Sequence, residues 1–512
     1  MSKGNRTYWK GIEQLKNDPS FVKNAQNEFA EFLPIKGSSD NSRRDFLKMM
    51  GFGIAAASVA ACEAPVKKAI PYVNKPIDID PSIPNYYAST YSMGSDYCSV
   101  VVKTREGRPI KIDGNKFSKV SGGTTTSQVE SSVLTLYDKQ RLKGPKLNNK
   151  ESNWNDVDNF VSERLDSSNK NYIISNSICS PSTLDVIDQF SKKYNATHVM
   201  YDSKSYHGML EANQMQFNKR KLPSYDFSKS KIIVSFGYDF LGSSFNHNLF
   251  NRQFAQTRKV NSNKREMSRL YSFESNLSLT GANADHRIPI KSSLSPIYIS
   301  ELYNLLLNKL NKSSSPKINI DDSKLNLIKS DILNQVADDL IKNIGESIVI
   351  SDSNDQYVQL VVNMINAILE NYGKTIDINK CYNLRKGSDS DMVNFVKDLK
   401  NKNVNSVIFL NSNPVYDHYL SSEIKDNLSG VKLKISTADR IEETSILCDV
   451  ISPDSHFLES WNDYEPLENS FSFSQPTIRR IFDTRQNQDS LLRWAGLEKN
   501  YFSLLKNCIQ IC

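Results

Sequence analysis

The cysteines of this 512-residue sequence lack the spacing of metal ligands. The seven cysteines are Cys62, Cys98, Cys179, Cys381, Cys448, Cys508 and Cys512. No two of them are separated by two residues, whereas a ferredoxin-type iron–sulfur cluster needs closely spaced thiolates and a zinc ribbon needs paired C-x2-C knuckles. The sequence therefore predicts no iron–sulfur cluster and no metal site in this chain.

Several catalytic signatures are missing as well. The sequence contains no G-x-G-x-x-G motif, no P-loop lysine motif and no G-x-S-x-G nucleophile elbow. None of the six histidines has a second histidine four residues away, so zinc binding by one helix face has no support. A Ser-His-Asp hydrolase is left open by the residue inventory but has no positive sign. The sequence thus predicts no catalytic residue.

The sequence also has no large excess of one charge sign, and it has few long apolar runs. The 64 Lys and Arg residues stand against 57 Asp and Glu residues, a net charge of +7, and no basic stripe with interleaved aromatic residues occurs. This balance predicts no nucleic-acid partner. After Ala61 no apolar run approaches the roughly 18 residues that cross a bilayer. Membrane contact would therefore come through a lipid anchor or a partner.

Two export signals are present before residue 63. Arg43 and Arg44 form a twin-arginine pair, which is followed by the small, apolar segment 49–61. This pattern is typical of the bacterial pathway that exports folded proteins, although an apolar run of this length also occurs in buried helices. Small residues directly before Cys62 form a lipobox, which predicts acylation of Cys62. We therefore expect a lipid-anchored protein on the periplasmic side of the inner membrane.

The chain beyond the signals is predicted to be an α/β protein with a small N-terminal β-rich domain. A β-branched run at 97–103 and a second run at 110–112, joined by a turn, predict a hairpin. Beyond Trp154, short apolar strands alternate with helical patterns, which is typical of doubly wound, mostly parallel sheets. The strands are predicted at 172–174, 198–200, 232–235, 270–273, 348–350, 407–410 and 433–435.

The domain organisation follows from these patterns. A proline-rich stretch precedes the hairpin, the stretch 308–322, rich in Asn, Lys and Ser, indicates a loop or domain break, and 453–481 is rich in turns and aromatic residues. The predicted regions are the signal region 1–61, a linker 62–85, the β-rich domain 86–150, an α/β domain 151–320 and a second α/β domain 321–512 with an irregular C-terminal cover.

Polar residues follow two of the predicted strands. Gly237 and Asp239 come after the strand at 232–235, and Asn411 and Asn413 come after the strand at 407–410. Ligands of open α/β sheets bind where such strand ends converge, so these four residues are candidates for cofactor binding. The same residue types serve any tight turn after a strand, and that interpretation stays open.

Motifs spread along the chain resemble the molybdopterin oxidoreductase superfamily and, within it, the B subunits of alternative complex III, a quinol-oxidising respiratory complex. A Trp9-Lys10 pair ahead of a late twin-arginine motif resembles the extended export signal of this family. The other motifs are 106–115 (EGRPIKIDGN), 136–138 (LYD), 141–145 (RLKGP), 239–242 (DFLG), 280–287 (TGANADHR), 413–416 (NPVY) and 458–463 (LESWND).

The resemblance implies partners and cofactors. The partners would be an iron–sulfur ferredoxin-like chain or portion, a multihaem cytochrome and integral membrane quinol-binding subunits. The family continues into a ferredoxin-like portion where this sequence ends, so we expect either a separate cluster-bearing polypeptide or a truncated chain. Iron–sulfur clusters and haem would then lie in partner chains, with no cofactor in this one.

Departures from the family favour a scaffold without its own catalysis. Only Cys98 stands where catalytic members carry a cysteine-rich cluster loop, and no molybdenum ligand is evident, Ser205 being the residue to test. We therefore expect a cofactor-free scaffold subunit of a respiratory complex. Two alternatives stay open: an active molybdopterin-guanine-dinucleotide-dependent oxidoreductase, and an exported binding lipoprotein with an unrelated ligand.

Overall fold

The computed structural model describes residues 83–93, 96–260, 265–312, 315–497 and 499–511. These residues all belong to one compact unit, Pro76–Cys512. The export signals predicted at Arg43, Arg44 and Cys62 lie outside the described residues, as does most of the predicted linker. Among the described residues, no helix combines the length and the apolar character that crossing a membrane would require.

The strands, numbered in chain order, are β1 Asn85–Met93, β2 Asp96–Arg105, β3 Arg108–Gly114, β4 Lys146–Leu147, β5 Lys150–Glu151, β6 Asn171–Ser175, β7 Ala196–Met200, β8 Leu222–Tyr225, β9 Ile232–Phe236, β10 Arg269–Glu274, β11 His286–Pro289, β12 Ser347–Ser351, β13 Ile376–Tyr382, β14 Ser406–Leu410, β15 Leu433–Ser436, β16 Val450–Ile451, β17 Asn462–Leu467 and β18 Ser470–Ser474.

The α-helices are Ser127–Leu136, Trp154–Ser162, Pro181–Tyr194, His207–Phe217, His247–Arg258, Leu279–Ala282, Ser295–Lys309, Asp322–Leu325, Ser330–Lys342, Gln356–Ile368, Asp389–Lys400, Pro414–Asp417, Ser421–Asn427, Asn487–Trp494 and Tyr501–Ile511. Short 3-10 turns lie at Phe227–Lys229, Ser292–Leu294, Leu428–Gly430, Ser445–Leu447 and Phe457–Glu459.

The predicted N-terminal hairpin is confirmed as β2 and β3, which pair antiparallel, with β1 on the other side of β2. Its two-residue turn, Glu106-Gly107, has φ values of +50° and +74° at the two positions, the combination that suits the twist of a tight hairpin. The buried face of this sheet packs against the helix Ser127–Leu136 and forms a small apolar core of its own.

A seven-stranded sheet forms the larger parallel layer, in the order β5-β4-β16-β15-β14-β6-β7. The strands from β16 to β7 are parallel, and β6 and β14 are fully buried. The chain moves outward from β6 to β7 in one direction and from β14 through β15 to β16 in the other. The carboxyl ends of β6 and β14 therefore form a topological switch point.

A second, four-stranded sheet has the order β11-β10-β9-β12 and is parallel throughout. The chain again leaves the centre in opposite directions, because β10 and β11 lie on one side of β9 and β12 lies on the other. The carboxyl ends of β9 and β12 form a second switch point. The predicted alternation of strands and helices is thus confirmed in both parallel sheets.

Both parallel sheets take strands from either side of residue 320. The larger sheet combines β6 and β7 with β14 to β16, and the smaller one combines β9 to β11 with β12. The domain limits in the sequence remain a prediction. The predicted irregular cover at 453–481 is wrong in part, because β17 and β18 form a hairpin there that joins β13 and β8. Alternating serines hid the strand pattern, and Asn469, with φ of +59°, turns the chain.

Candidate functional site

A cleft of about 490 Å³ lies at the carboxyl ends of β6 and β14, at the first switch point. Its floor is formed by Ser175 and Asn176 after β6 and by Leu410 and Asn411 after β14. The β-rich N-terminal sheet, the helix Ser127–Leu136 and the segment 454–464 contribute the surrounding walls. We call this space the acidic cleft, because three carboxylate side chains line it: Asp439, Glu442 and Asp454.

The single arginine among the described lining residues is already neutralised. Arg440 Nε lies 2.9 Å from Asp439 Oδ1, and Arg440 Nη1 lies 3.1 Å from Asp138 Oδ2. Burial raises the pKa of Glu442 to about 7 and that of Asp454 to about 7, and Asp439 raises both further by repulsion. The acidic cleft therefore carries more negative than positive charge at neutral pH.

His456 adds no positive charge to the acidic cleft. Burial and the nearby Arg141 guanidinium lower the pKa of His456 to about 4. Its Nδ1 accepts the Leu458 N–H at 3.3 Å, so Nε2 carries the proton and donates to Thr135 Oγ1 at 2.9 Å. The ring is thus a neutral structural link between the segment 454–464 and the helix Ser127–Leu136.

The helix N-terminus that faces the switch point is occupied by a carboxylate of the chain itself. Ser180 caps the helix Pro181–Tyr194, and Pro181 fits its first turn, where no amide hydrogen is needed. The buried Asp463 carboxylate accepts from Ser180 Oγ at 2.5 Å, from Ser182 N at 3.2 Å and from Ser182 Oγ at 2.6 Å. Helix N-termini of this kind bind phosphate in nucleotide enzymes.

This arrangement does not fit the diphosphate of a pterin dinucleotide, the cofactor implied by the resemblance. The anion position at the helix N-terminus holds Asp463, and the cleft beside it is lined by Asp439, Glu442 and Asp454. A diphosphate would meet repulsion from these carboxylates, and the one lining arginine has two acidic partners.

Of the four predicted cofactor-binding residues, only Asn411 lines the acidic cleft. Its amide is held within the chain, because Nδ2 donates to Asp454 Oδ2 at 2.5 Å and Oδ1 accepts from Thr437 Oγ1 at 2.8 Å. Asn413 does not line the acidic cleft. Its Nδ2 donates to Glu443 Oε2 at 2.8 Å, and its Oδ1 accepts from Thr444 N at 3.0 Å.

Gly237 and Asp239 belong to the second switch point, at the ends of β9 and β12. We call this set, with Asp352 and Lys204, the Gly237 site. A Cβ at position 237, where φ is +73°, would lie 2.5 Å from Asp352 Oδ1, so the carboxylate packs directly on the glycine. Asp239 Oδ1 accepts from Thr280 N at 2.9 Å and from Thr280 Oγ1 at 2.7 Å.

The Gly237 site also contains shifted titratable groups. Burial raises the pKa of Asp352, and the Lys204 ammonium partly offsets that effect. Burial lowers the pKa of Lys204, whose Nζ donates to Ser243 O and to Ser243 Oγ, both at 3.0 Å. These groups bond to their own chain, and neither Gly237 nor Asp239 lines the acidic cleft.

Ser205, the residue named as a possible metal ligand, is also tied to its own chain. Its Oγ donates to the Asp389 carboxylate at 2.8 Å, and it lies outside the acidic cleft. The four cysteines whose side chains the structure describes, Cys98, Cys179, Cys381 and Cys448, are buried thiols. In the part of the chain that the structure describes, no three His, Cys, Asp or Glu side chains are grouped as metal ligands.

The sequence interpretation missed the charged residues of the cleft. Asp454 follows β16 closely, so the strand-end rule that selected Asn411 could have found it. Glu442 carried no comparable signal, because it comes from a loop before a short 3-10 turn. Asp463, which lies at the helix N-terminus and outside the cleft lining, comes from β17 and carried none either. Cys179 is buried and also lines the cleft.

Comparison with known proteins gives one partial relative and a clear structural neighbour. No protein-family model matches the chain. A stretch of 101 residues is 31% identical to the menaquinone reductase, molybdopterin-binding-like subunit, of Nitratidesulfovibrio vulgaris; it covers 19% of this chain and only 15% of that subunit. Acetylene hydratase from Pelobacter acetylenicus superposes with a TM-score of 0.61 at 11% identity, over 80% of this chain and 69% of that one.

The likeness in fold confirms the predicted class. This chain has the molybdopterin-oxidoreductase-like α/β fold, with doubly wound, mostly parallel sheets and a small N-terminal β-rich sheet.

Proposed function

We propose that this chain is a cofactor-free, non-catalytic scaffold subunit of a membrane-associated respiratory complex that exchanges electrons with a quinone pool, similar to alternative complex III. The observation that carries the proposal is Asp463, whose carboxylate fills the anion position at the helix Pro181–Tyr194. A helix N-terminus of this kind can bind a phosphate group, and here a side chain of the same chain takes that position.

The respiratory part of the proposal is supported by similarity. The partial relative is by name a menaquinone reductase subunit and is molybdopterin-binding-like. This fold and this partial similarity support a subunit that positions electron carriers bound by partner chains. The carriers would be iron–sulfur clusters in a ferredoxin-like chain or portion and haem in a multihaem cytochrome, next to integral membrane quinol-binding subunits.

A location on the periplasmic side of the inner membrane completes the proposal. Export would depend on Arg43 and Arg44, and attachment to the membrane on a lipid at Cys62. Replacing both arginines by lysine should leave the chain in the cytoplasm, whereas Cys62→Ser should release the exported chain into the periplasmic fraction. Cell fractionation with immunodetection measures both, and Lys48→Arg in the same signal serves as a control that should change neither result.

The second candidate is an active molybdopterin-guanine-dinucleotide-dependent oxidoreductase. One observation favours it, because Cys179 lines the roomy acidic cleft at the switch point. However, burial raises the pKa of Cys179, and a metal ligand must be a thiolate. The carboxylates around the cleft oppose the diphosphate of that cofactor. The scaffold is therefore the better supported function.

Metal analysis of the native complex separates the two candidates. The full chain is purified from its native membrane, molybdenum, tungsten and iron are measured per polypeptide, and copurifying chains are identified by mass spectrometry. The scaffold proposal expects iron without molybdenum or tungsten, together with cluster-bearing and haem-bearing chains. Stoichiometric molybdenum or tungsten, with pterin released from this polypeptide on denaturation, would overturn the proposal and support the second candidate.

A further inference from the structure

Two carboxylates of the acidic cleft form no salt bridge with any described residue. Among the described residues, neither Glu442 nor Asp454 forms a salt bridge, and the lining arginine, Arg440, is shared by Asp439 and Asp138. Repulsion from Asp439 acts on both Glu442 and Asp454, so the three carboxylates lie within electrostatic range of one another. The cleft therefore presents uncompensated negative charge to whatever enters it.

Three acceptor oxygens on lining side chains also have no donor among the described residues. They are Glu442 Oε1, Asn487 Oδ1 and Gln488 Oε1. Asn487 and Gln488 are only 6% and 4% exposed, and each uses its amide nitrogen within the chain, on Asp454 and on Thr183. An acceptor that is buried without a donor costs free energy, so a ligand that supplies N–H groups would gain from it.

The occupant is not a bare metal ion. In the described part of the chain, no three acidic, histidine or cysteine side chains come close enough together to hold one. The space of about 490 Å³ is much larger than a single ion needs, and aromatic walls contribute to it, with Tyr91 and Phe457 in edge-to-face contact at 5.2 Å. The carboxylates of the cleft are not clustered around one point, several acceptor oxygens have no described donor, and part of the wall is apolar. These features suit an organic cation with several N–H donors.

We infer that the acidic cleft binds a guanidinium or primary ammonium group carried on a short hydrocarbon chain, with Glu442, Asn487 and Gln488 as its acceptors. Such a group is available on a free amine or on an arginine or lysine side chain of a neighbouring polypeptide, and both present the same chemistry. The inference rests on the cleft alone and does not depend on the proposed respiratory role.

Calorimetric titration of the purified full-length chain with agmatine at pH 8 tests the inference. Agmatine, a guanidinium with a four-carbon amine tail, should bind once per chain. Its Kd should rise at least about ten-fold in Glu442→Gln, because a charge-assisted hydrogen bond is lost. Glu443→Gln is the matched control, since Glu443 is exposed and outside the cleft lining, and its Kd should change less than about two-fold.

The pH dependence gives a second readout. Affinity for agmatine should increase from pH 6 to pH 8 as the carboxylates ionise, and then level off. The charged groups that act on Glu442 are Asp439, Glu443 and Asp417, which raise its pKa, and Arg440, which lowers it. The dependence should shrink in Glu442→Gln.

Three results would overturn the inference: no agmatine binding, equal binding by wild type and Glu442→Gln, or competition by pyrophosphate or calcium at the same site. If Glu442→Gln does not fold, as judged by circular dichroism, Gln488→Met removes one acceptor at similar volume and should weaken agmatine binding instead. A failure here leaves the metal analysis of the native complex unaffected, so the two proposals fail separately.

An experiment on the native complex distinguishes the two sources of the cation, a free amine and a side chain of a neighbouring polypeptide. A photo-crosslinking residue in place of Ser131, an exposed serine at the cleft rim, should label a neighbouring polypeptide if a side chain fills the cleft. Agmatine should then bind the isolated chain but not the complex. If the cation is a free amine, agmatine should bind both, and no polypeptide should be labelled.

Discussion

At the acidic cleft, the ends of β6 and β14 surround a space of about 490 Å³, whereas at the Gly237 site the ends of β9 and β12 are bridged by side chains of the chain itself. Both places are topological switch points of parallel sheets, and the same backbone design creates them. Topology alone therefore does not decide whether a switch point can take a ligand. The size and charge of the side chains decide it.

The two regions also differ in the solvent exposure of the ion pairs near them. Arg141 and Glu459, behind the wall of the acidic cleft, form an ion pair in which both side chains are 0% exposed, with Nη2 and Oε2 2.7 Å apart. In the smaller sheet, Arg287 and Glu274 pair with the arginine 30% exposed. Solvent reaches the Arg287–Glu274 pair and weakens the attraction between its charges. In the Arg141–Glu459 pair, water reaches neither side chain, so each charge depends on its partner for stabilisation.

The largest effect is expected from Arg141→Ala. This change leaves Glu459 buried without a cation, which should lower the free energy of unfolding by about 3–5 kcal/mol. Arg287→Ala should cost less, about 1–3 kcal/mol, because water can solvate Glu274 once the arginine is gone. Chemical unfolding of both variants of the full chain measures the difference. Equal losses would contradict the contrast in burial.

The second largest effect on stability is expected at the Gly237 site. Gly237→Ala should lower the free energy of unfolding by about 1–3 kcal/mol more than Gly107→Ala, because the new methyl group meets the Asp352 carboxylate. Gly107 is a close control, since its φ of +74° matches the +73° of Gly237 and a Cβ added there would have nothing within 4 Å. Thermal and chemical unfolding compare the two variants. A similar loss in both would mean that backbone strain alone matters at position 237.

The smallest effect is a pH dependence of stability. The pKa of Glu442 is raised from 4.5 to about 7, so the folded state holds its proton more tightly, and the wild type loses stability as the pH rises through this range. Glu442→Gln should therefore match the wild type near pH 4 and exceed it by about 1 kcal/mol above pH 7.

Two further variants check that sign. Asp352→Asn at the Gly237 site should behave in the same direction, since burial also raises the pKa of Asp352. Glu443→Gln should reverse it, because a hydrogen bond from Asn413 lowers the pKa of the Glu443 carboxylate. Unfolding midpoints of the three variants across pH 4–8 supply the comparison, and an identical profile for Glu442→Gln and Glu443→Gln would contradict it.

Local patterns in the sequence were sufficient for the central strands of both parallel sheets and for the N-terminal hairpin, but not for β1, β8, β13, β17 and β18. The buried strands β6, β9 and β14 are continuous apolar runs, and the N-terminal hairpin has a turn that demands positive φ. Local patterns could not predict which strands pair with one another, because β6 pairs with β14 and β9 with β12 across long stretches of chain. Alternating serines likewise concealed β18.

The candidate site was predictable only in part. The strand-end rule placed Asn411 at the cleft, but the same rule selected Gly237 and Asp239, which lie at the other switch point. Whether a strand-end residue faces a space or a neighbour depends on side chains from distant segments. Asp463 shows this best, because β17 brings its carboxylate to a helix that begins at Pro181.

The pairing of β6 with β14 has a consequence for synthesis. Asn171 and Ser406 are bonded neighbours in the sheet although 235 positions separate them along the chain. A ribosome that adds about 5–20 residues per second needs about 10–50 seconds to cover that distance. During this interval one edge of β6 has no partner strand, and exposed edges of this kind invite aggregation. Nascent chains halted before residue 406 should therefore need a chaperone, and full-length chains should not.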